Sequence, residues 1–169
     1  YIGTGLTGKP ALATAQPISN NGFWPDVSTA DLMGKYRIPA EYVGEVITWG
    51  LTLAVVRINN SLQRAQNEMM VLGYATFEAY LTANSEQVGG FEIMQTHYEH
   101  AVYARAKASL LQQFNSMNRR DQAENQAKES DETEQYWLDE SAASVAAINA
   151  AIFPDETFIG KANVHVALI

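Results

Sequence analysis

Three long stretches of the chain repeat apolar residues at spacings of three and four, which is the period of a helix with one buried face. They cover residues 39–71, 91–119 and 121–152. Because these stretches make up more than half of the 169 residues, they exclude a fold built mainly from strands. The pattern predicts an all-α protein, a bundle of three long helices with one or two short ones.

Residues that begin and end helices support these limits. Pro39 suits the first turn of the first long helix, and Gly73 suits a position just after its end. Asp121 followed by Glu124 predicts an N-cap and its capping-box partner for the third helix, and Pro154 ends that helix.

Shorter elements are predicted between the long helices. Ser28 with Asp31 at the capping-box position predicts the start of a short helix. Residues 76–81 are interpreted as a turn or a short helix, and residues 84–90 as a loop ending in two glycines. Gly50 lies inside the first long helix, where glycine lowers helix stability unless a neighbouring element packs closely against it.

The two ends of the chain lack the helical period. We therefore divide the chain into an extended N-terminal arm (1–27), a helical bundle domain (28–153) and a C-terminal tail (154–169). Phe23 and Trp24, at the end of the arm, are the predicted anchors that fix the arm to the body.

The tail alternates apolar and polar residues from position 163 to 169, which predicts a strand. A single strand in a helical protein has no sheet of its own to join, so we expect it to dock on another chain. Its candidate docking residues are Phe158, Val164, Val166, Leu168 and Ile169.

Composition excludes several classes of site and location. The chain has no cysteine, so it has no disulfide framework, thiol nucleophile or Cys-based metal site. No run approaches the roughly 20 apolar residues that span a membrane. The N-terminus lacks the charged and apolar blocks of a secretory signal, and we therefore expect a protein made in the cytoplasm.

Acidic residues are concentrated in one segment. The whole chain has a net charge of -8. Residues 121–140 hold eight acidic residues against Lys128 alone, so that segment contributes -7. Two interpretations remain open: a solvated helix face, or a face that repels DNA or binds a basic partner. The candidate residues of such a face are Glu124, Glu129, Asp131, Glu132 and Glu134.

No motif in the chain predicts catalysis. The glycines of residues 3–8 match a dinucleotide fingerprint, but no strand precedes them and no amphipathic helix follows, so we assign them to the arm. We predict no catalytic residues, no cofactor and no metal. The alternative is a metal-binding or enzymatic helical bundle that uses His97, His100 and Glu99, since two histidines three apart can share a helix face.

Three separated pieces of the chain resemble one family. They are FWPDV at 23–27, YE at 98–99 followed by AVYARAKASL at 101–110, and DET at 131–133 with Trp137. Together they resemble the head completion proteins, the L proteins of contractile-tailed temperate coliphages. The resemblance runs in order over residues 21–154, whereas the arm and the last dozen residues match poorly.

The resemblance implies a structural protein of the phage virion. Members of that family are similar to helical head–tail adaptors that bind the portal protein after genome packaging. It implies a ring of twelve subunits at the neck that extends the DNA channel and receives the tail. The expected partners are the portal protein, neighbouring copies and a tail-terminator or tail-completion protein, and the genome passes through without specific binding. The expected location is the virion neck, after assembly in the host cytoplasm.

Overall fold

The computed structural model describes residues 16–38, 44–118 and 133–157. Those residues are mostly helical, with two short antiparallel strand pairs. The helices are α1 (Thr29–Tyr36), α2 (Gly44–Ser61), α3 (Gln63–Val71), α4 (Phe77–Ala83), α5 (Ile93–Asn118) and α6 (Glu134–Ile152). The strands are β1 (Pro17–Ile18), β2 (Val27–Ser28), β3 (Gln87–Val88) and β4 (Phe91–Glu92).

Helix α5 is the centre of the body, because α6, α2 and α1 all pack against it. Small side chains allow α6 to approach closely: Ala101, Ala104 and Ala108 of α5 are buried. On the facing helix, the buried Ser141 donates its hydroxyl to the carbonyl of Ala101 at 2.7 Å. This bond satisfies a hydroxyl that would otherwise be buried without a partner.

The prediction of three long helices is wrong in one respect. The stretch predicted as a helix over 39–71 is interrupted at Leu62 (φ -102°, ψ 8°), which separates α2 from α3. Leu62 is fully buried, so it continues the apolar stripe across the break. The break therefore leaves the hydrophobic period intact, and the period alone could not indicate it. Pro39 lies outside the described residues.

The third long helix also begins later than predicted. Thr133 is extended (φ -90°, ψ 156°) and its side chain accepts a hydrogen bond from the backbone N–H of Tyr136, so Thr133 is the N-cap of α6. The predicted cap at Asp121 and Glu124 lies outside the described residues. The end is as predicted, because α6 stops at Ile152, two residues before Pro154.

The predicted starting point of the first short helix is confirmed. The Ser28 side chain accepts hydrogen bonds from the N–H groups of Ala30 and Asp31 and thereby caps α1. Asp31 does not close a capping box, because the backbone N–H of Ser28 donates to the Tyr103 hydroxyl instead. Helix α1 ends at Arg37, a left-handed residue (φ 51°) whose conformation is costly for any residue with a side chain.

Gly73 ends α3 as predicted. It adopts φ +98°, and the N–H of Tyr74 donates to the carbonyl of Met69 while the N–H of Gly73 donates to that of Met70. These two bonds form a Schellman motif, which satisfies the last carbonyls of the helix. Gly50 also has the expected neighbour, since a β-carbon there would lie 3.5 Å from the Leu110 side chain.

The two strand pairs were not predicted. Strand β1 pairs with β2, which joins residue 17 to residue 28 along the N-terminal segment. Strands β3 and β4 form a hairpin whose turn is Gly89–Gly90, with φ of +61° and +82°. Such a turn needs positive φ at both central positions, which two glycines supply without strain. The hairpin covers the end of the loop predicted at residues 84–90 and the first two residues of the helix predicted from Phe91, so that α5 begins at Ile93.

Candidate functional surfaces

Phe23 and Trp24, the predicted anchors of the arm, lie in the hydrophobic core. The Asn21 side chain accepts hydrogen bonds from the N–H groups of both residues, at 3.1 and 3.2 Å, and so fixes the turn that buries them. The Trp24 ring stacks in parallel on Tyr98 of α5, with centroids 4.8 Å apart. Its indole N–H donates to the Gln66 side chain at 3.0 Å.

Most other predicted functional residues lie outside the described part of the chain. These are the tail residues Phe158, Val164, Val166, Leu168 and Ile169, and the acidic residues Glu124, Glu129, Asp131 and Glu132. Residues 1–15 also lie outside it, so the anchoring of the arm, the docking tail and the acidic face stay predictions. Glu134 is described: it occupies the first turn of α6, where a negative charge is favourable.

Asn20, Asn59 and Tyr98 form a closed set of hydrogen bonds that we call the asparagine cluster. The Asn20 amide donates to the Tyr98 hydroxyl at 2.7 Å, and that hydroxyl donates to the Asn59 side-chain oxygen at 2.8 Å. The Asn59 amide completes the set by donating to the Asn20 side-chain oxygen at 2.8 Å. Tyr98 is fully buried, and burial raises the pKa of its hydroxyl. The cluster joins the N-terminal segment to α2 and α5.

Tyr36, His100 and Glu140 form a second set, the histidine cluster. The Tyr36 hydroxyl lies 2.6 Å from Nδ1 of His100, and Nε2 of His100 lies 3.3 Å from a carboxylate oxygen of Glu140. Both ring nitrogens therefore face protein partners. The cluster joins α1, α5 and α6.

The structure does not bring His97, His100 and Glu99 together as metal ligands. Glu99 instead accepts a hydrogen bond from Gln95 and lies 3.9 Å from Lys35. Burial and the neighbouring His100 lower the pKa of His97. In residues 16–38, 44–118 and 133–157, no group of three His, Asp or Glu side chains is placed to hold a metal ion.

Lys107 is a buried cation that the sequence analysis did not single out. Its ammonium group donates to the Tyr36 carbonyl at 2.8 Å and lies 4.6 Å from the centre of the Trp137 ring. A carbonyl and an aromatic face are both favourable partners for a desolvated cation. Lys107 therefore holds the end of α1 against α5 and α6, next to the histidine cluster.

An apolar groove of about 430 Å³ runs beside the histidine cluster. The β3–β4 hairpin supplies two exposed side chains, Val88 (68% exposed) and Phe91 (71%). The other lining residues come from α1 and α5: Lys35, Tyr36, Ile93, Thr96, His97, Glu99, His100 and Tyr103. Sequence reasoning missed the groove because Phe91 was assigned to the helix. The signal for it was Val-Gly-Gly-Phe, two apolar residues around a glycine turn.

A second uncovered apolar surface projects from the end of α3. Met70, Val71 and Leu72 are consecutive and 52%, 81% and 60% exposed. We call these three residues the α3 tip. Three exposed apolar residues in a row are unusual on a soluble surface unless they have a function.

A third apolar surface lies on α2. Trp49 and Val56 are both exposed and two helical turns apart, so they share a face. Trp49 also lines a pocket with Gln16 and Thr29. In the sequence, Trp49 lies off the apolar stripe of residues 39–71. A large aromatic residue at such a position could have indicated an exposed contact surface, but the sequence analysis did not use it.

The described residues thus combine polar clusters that join helices with apolar surfaces that no described residue covers. None of the helices in the described ranges is both long enough and apolar enough to cross a membrane.

Comparison with known proteins gives the family. The chain belongs to the phage head completion protein family, because the model of that family, phage head completion protein (GPL), matches residues 18–152. The chain is also similar to the probable head completion/stabilization protein of Haemophilus phage HP1 (strain HP1c1), with 27% identity over 104 residues. That alignment covers 62% of this chain and 67% of that protein. No solved structure matches the chain.

The resemblance inferred from residues 23–27, 98–110 and 131–137 is thereby confirmed. Membership of this family implies a structural component of the phage virion with a role in head completion, and so a protein that is not an enzyme.

Proposed function

We propose that the protein is a head–tail adaptor of the phage neck. Its copies form a ring of twelve on the portal protein, extend the DNA channel and receive the tail through a tail-terminator or tail-completion protein. The observation that carries this proposal is the match of the head completion family to residues 18–152, which include the whole helical body. The protein acts in the virion neck after assembly in the host cytoplasm.

The uncovered apolar surfaces support a role in assembly. A ring subunit needs contacts with two neighbours, and cyclic rings are built from heterologous contacts between different faces of one chain. The groove, the α3 tip and the exposed Trp49 and Val56 of α2 offer three such surfaces in the described part of the chain.

In the proposed ring, the acidic segment keeps DNA from binding to the channel wall. Residues 121–140 contribute -7 in each copy, and a cyclic ring repeats this charge around its channel. A negative lumen repels DNA phosphates, so the genome passes through without sticking. We place Glu124, Glu129, Asp131, Glu132 and Glu134 on the channel side or the tail side of the ring.

The C-terminal tail supplies the contact with the portal. Its alternating apolar residues, Val164, Val166 and Leu168, would dock by strand addition or in a groove, together with Phe158 and Ile169. Phe23 and Trp24 hold the N-terminal arm on the body, because both are buried against α5 and its neighbours.

Truncation of the tail tests the portal contact. The chain should end after residue 157, which retains Glu156 and its bidentate hydrogen bonds to Arg64 at 2.6 and 2.7 Å. We expect this variant to keep its helical circular-dichroism spectrum and to lose binding to purified portal. A full-length variant with His165→Ser and Ala167→Ser, on the other side of the predicted strand, is the matched control. Normal portal binding by the truncated chain would show that the tail is not the docking element.

Electron microscopy of assembled particles tests the neck position itself. We expect a ring of helical subunits between portal and tail, with twelve-fold symmetry. Particles that contain the protein elsewhere, or none of it, would contradict the adaptor role.

A further inference from the structure

The described part of the chain begins at the wall of a pocket. Gln16, the first described residue, lines a pocket of about 370 Å³ together with Thr29 at the start of α1. The other described lining residues belong to the first part of α2: Gly44, Glu45, Ile47, Thr48, Trp49 and Thr52. Residues 1–15 therefore join the described body at this pocket.

Thr29 holds the backbone of Gln16 at the pocket wall. The N–H of Gln16 donates to the Thr29 hydroxyl at 3.1 Å, and the N–H of Thr29 donates to the Gln16 carbonyl at 3.2 Å. Thr29 is buried, and Pro17 pairs with Ser28 at the next position of the β1–β2 pairing. Because both backbone groups of Gln16 are bonded, the body sets the position from which residues 1–15 extend.

The α2 wall of the pocket offers an apolar contact. Trp49 is 62% exposed there. The hydroxyls of Thr48 and Thr52 donate to the carbonyls four residues earlier, those of Gly44 and Thr48, at 2.9 and 2.8 Å. These hydroxyls need no partner from an occupant. A side chain that covers Trp49 therefore buries apolar area without leaving them unsatisfied.

The residues directly before Gln16 have a matching composition. Residues 10–15 read PALATA, with no charged residue and no glycine, and Leu12 is the one large aliphatic residue among them. Four extended residues reach up to about 13 Å. The α2 wall from residue 44 to residue 52 is about 12 Å long. Leu12 is therefore within reach of Trp49.

The charges of the pocket and of the arm are also complementary. Among the described residues that line the pocket, only Glu45 is charged, and it forms no ion pair with another described residue. Lys9 is the one charged side chain in residues 1–15. It lies three positions before Leu12, so a segment that places Leu12 on Trp49 brings an opposite charge toward the edge of the same pocket.

We propose that residues 10–15 of the arm dock in this pocket of their own chain, with Leu12 against Trp49. The same chain is the occupant because the arm is covalently attached at the pocket wall, which gives it a high effective concentration there. Both partners belong to one chain, so the contact does not depend on the proposed ring. The docked arm leaves Val56, two turns further along α2, exposed for a contact with a neighbouring copy.

Disulfide formation tests the contact directly, because the chain has no cysteine of its own. The test variant is the full chain with Leu12→Cys and Thr52→Cys, the second at a partly exposed residue of the pocket wall. A disulfide needs β-carbons about 4 Å apart, so it reports close approach. Under mild oxidation of dilute protein, we expect an intrachain disulfide about tenfold faster than in the matched control.

The control carries Leu12→Cys with Ala30→Cys. Ala30 is exposed and directly follows Thr29, so it lies near the start of the arm, but it does not line the pocket. Equal rates in the two variants, or no intrachain disulfide in the test variant, would overturn the proposal. A mixture of the single variants Leu12→Cys and Thr52→Cys should give no dimer at the same concentration. A disulfide dimer as its main product would assign the pocket to the arm of a neighbouring copy, which also overturns it.

Fluorescence gives a second test without a cross-link. The Trp49 signal is the part of the emission that Trp49→Phe removes in each background. Leu12→Asp should raise the quenching of this signal by acrylamide about twofold, because a carboxylate against the indole disfavours docking. Leu6→Asp adds the same charge to the arm outside residues 10–15 and should leave the quenching unchanged. Equal effects of the two variants, or no effect of Leu12→Asp, contradict the contact.

Discussion

The asparagine cluster and the histidine cluster both tie early parts of the chain to α5, but with different chemistry. The asparagine cluster consists of two amides and a hydroxyl, and each group bonds to both of the others. The histidine cluster links a hydroxyl, an imidazole and a carboxylate, and Glu140 and His100 are both partly exposed.

The helical body has no disulfides, and two kinds of polar cluster join its elements instead: one of neutral amides and a hydroxyl, and one that includes an imidazole and a carboxylate. Neutral amides that satisfy one another can be buried without the desolvation cost of a charge. The histidine cluster lies nearer the surface, beside the apolar groove, so water can reach its groups. We therefore expect the loss of one group to cost more stability in the asparagine cluster than in the histidine cluster.

Removing the aromatic contact beneath the asparagine cluster should have the largest effect. Trp24→Ala deletes the ring that stacks on Tyr98 and leaves a cavity in the core. We expect a loss of about 3–5 kcal/mol in the free energy of unfolding, measured by chemical denaturation. Trp49→Ala, an exposed tryptophan, is the matched control and should change stability far less. Similar losses of unfolding free energy in both variants would show that the buried Trp24 contributes no more to stability than the exposed Trp49 does.

Removing one member of the asparagine cluster should cost less. Asn59→Ala leaves the buried Tyr98 hydroxyl without its acceptor and removes one of the two donors to the Asn20 side-chain oxygen, which keeps the N–H of Asn21. We expect a loss of about 1–3 kcal/mol in the free energy of unfolding. The neighbouring Asn60 is exposed, so Asn60→Ala should stay within about 0.5 kcal/mol of the parent. The cluster would be unimportant for folding if the two variants were equally stable.

The corresponding change in the histidine cluster should be smaller again. Tyr36→Phe keeps the ring against His100 and Trp137 but removes the hydroxyl that faces Nδ1 of His100. We expect about 0.5–1.5 kcal/mol, because His100 is partly exposed and water can replace the lost partner. A loss equal to that of Asn59→Ala would remove the distinction between the clusters.

The smallest effect should come from pH. Burial and His100 lower the pKa of His97 from 6.5, so the unfolded chain takes up the proton at a higher pH than the folded chain does. This histidine therefore leaves stability unaffected above pH 6.5 and decreases it as the pH falls through 6.5 toward the folded pKa. His97→Gln should flatten this part of the curve of unfolding free energy against pH. An unchanged slope would exclude His97 as its source.

The local features of the fold were predicted well because they depend on a few adjacent residues. The Ser28 cap, the end of α3 at Gly73 and the end of α6 before Pro154 each follow from one residue with a strong backbone preference. The break at Leu62 has no such residue. Its apolar side chain serves both helices, so only the tertiary packing reveals it.

The candidate surfaces were harder to predict because their parts come from distant positions. The groove joins Lys35 and Tyr36 to a hairpin and a helix more than 50 residues later. The apolar period within one helix or strand does not indicate which distant residues will pack beside it. Family resemblance supplied the role instead, through FWPDV at 23–27 and the stretch 98–110, and both of these pieces build the core around Trp24 and Tyr98.

The bond from Asn20 to Tyr98 also has a consequence for the order in which the chain acquires its structure, since the two residues are 78 positions apart. During synthesis, Phe23 and Trp24 leave the ribosome long before their partner ring on α5 exists. Closing a loop of this length is entropically costly, so its contacts form after the local helices. Among the described residues, Phe23 and Trp24 are the first buried aromatic residues to be made, and the newly made chain leaves Trp24 without its stacking partner Tyr98 until α5 has emerged.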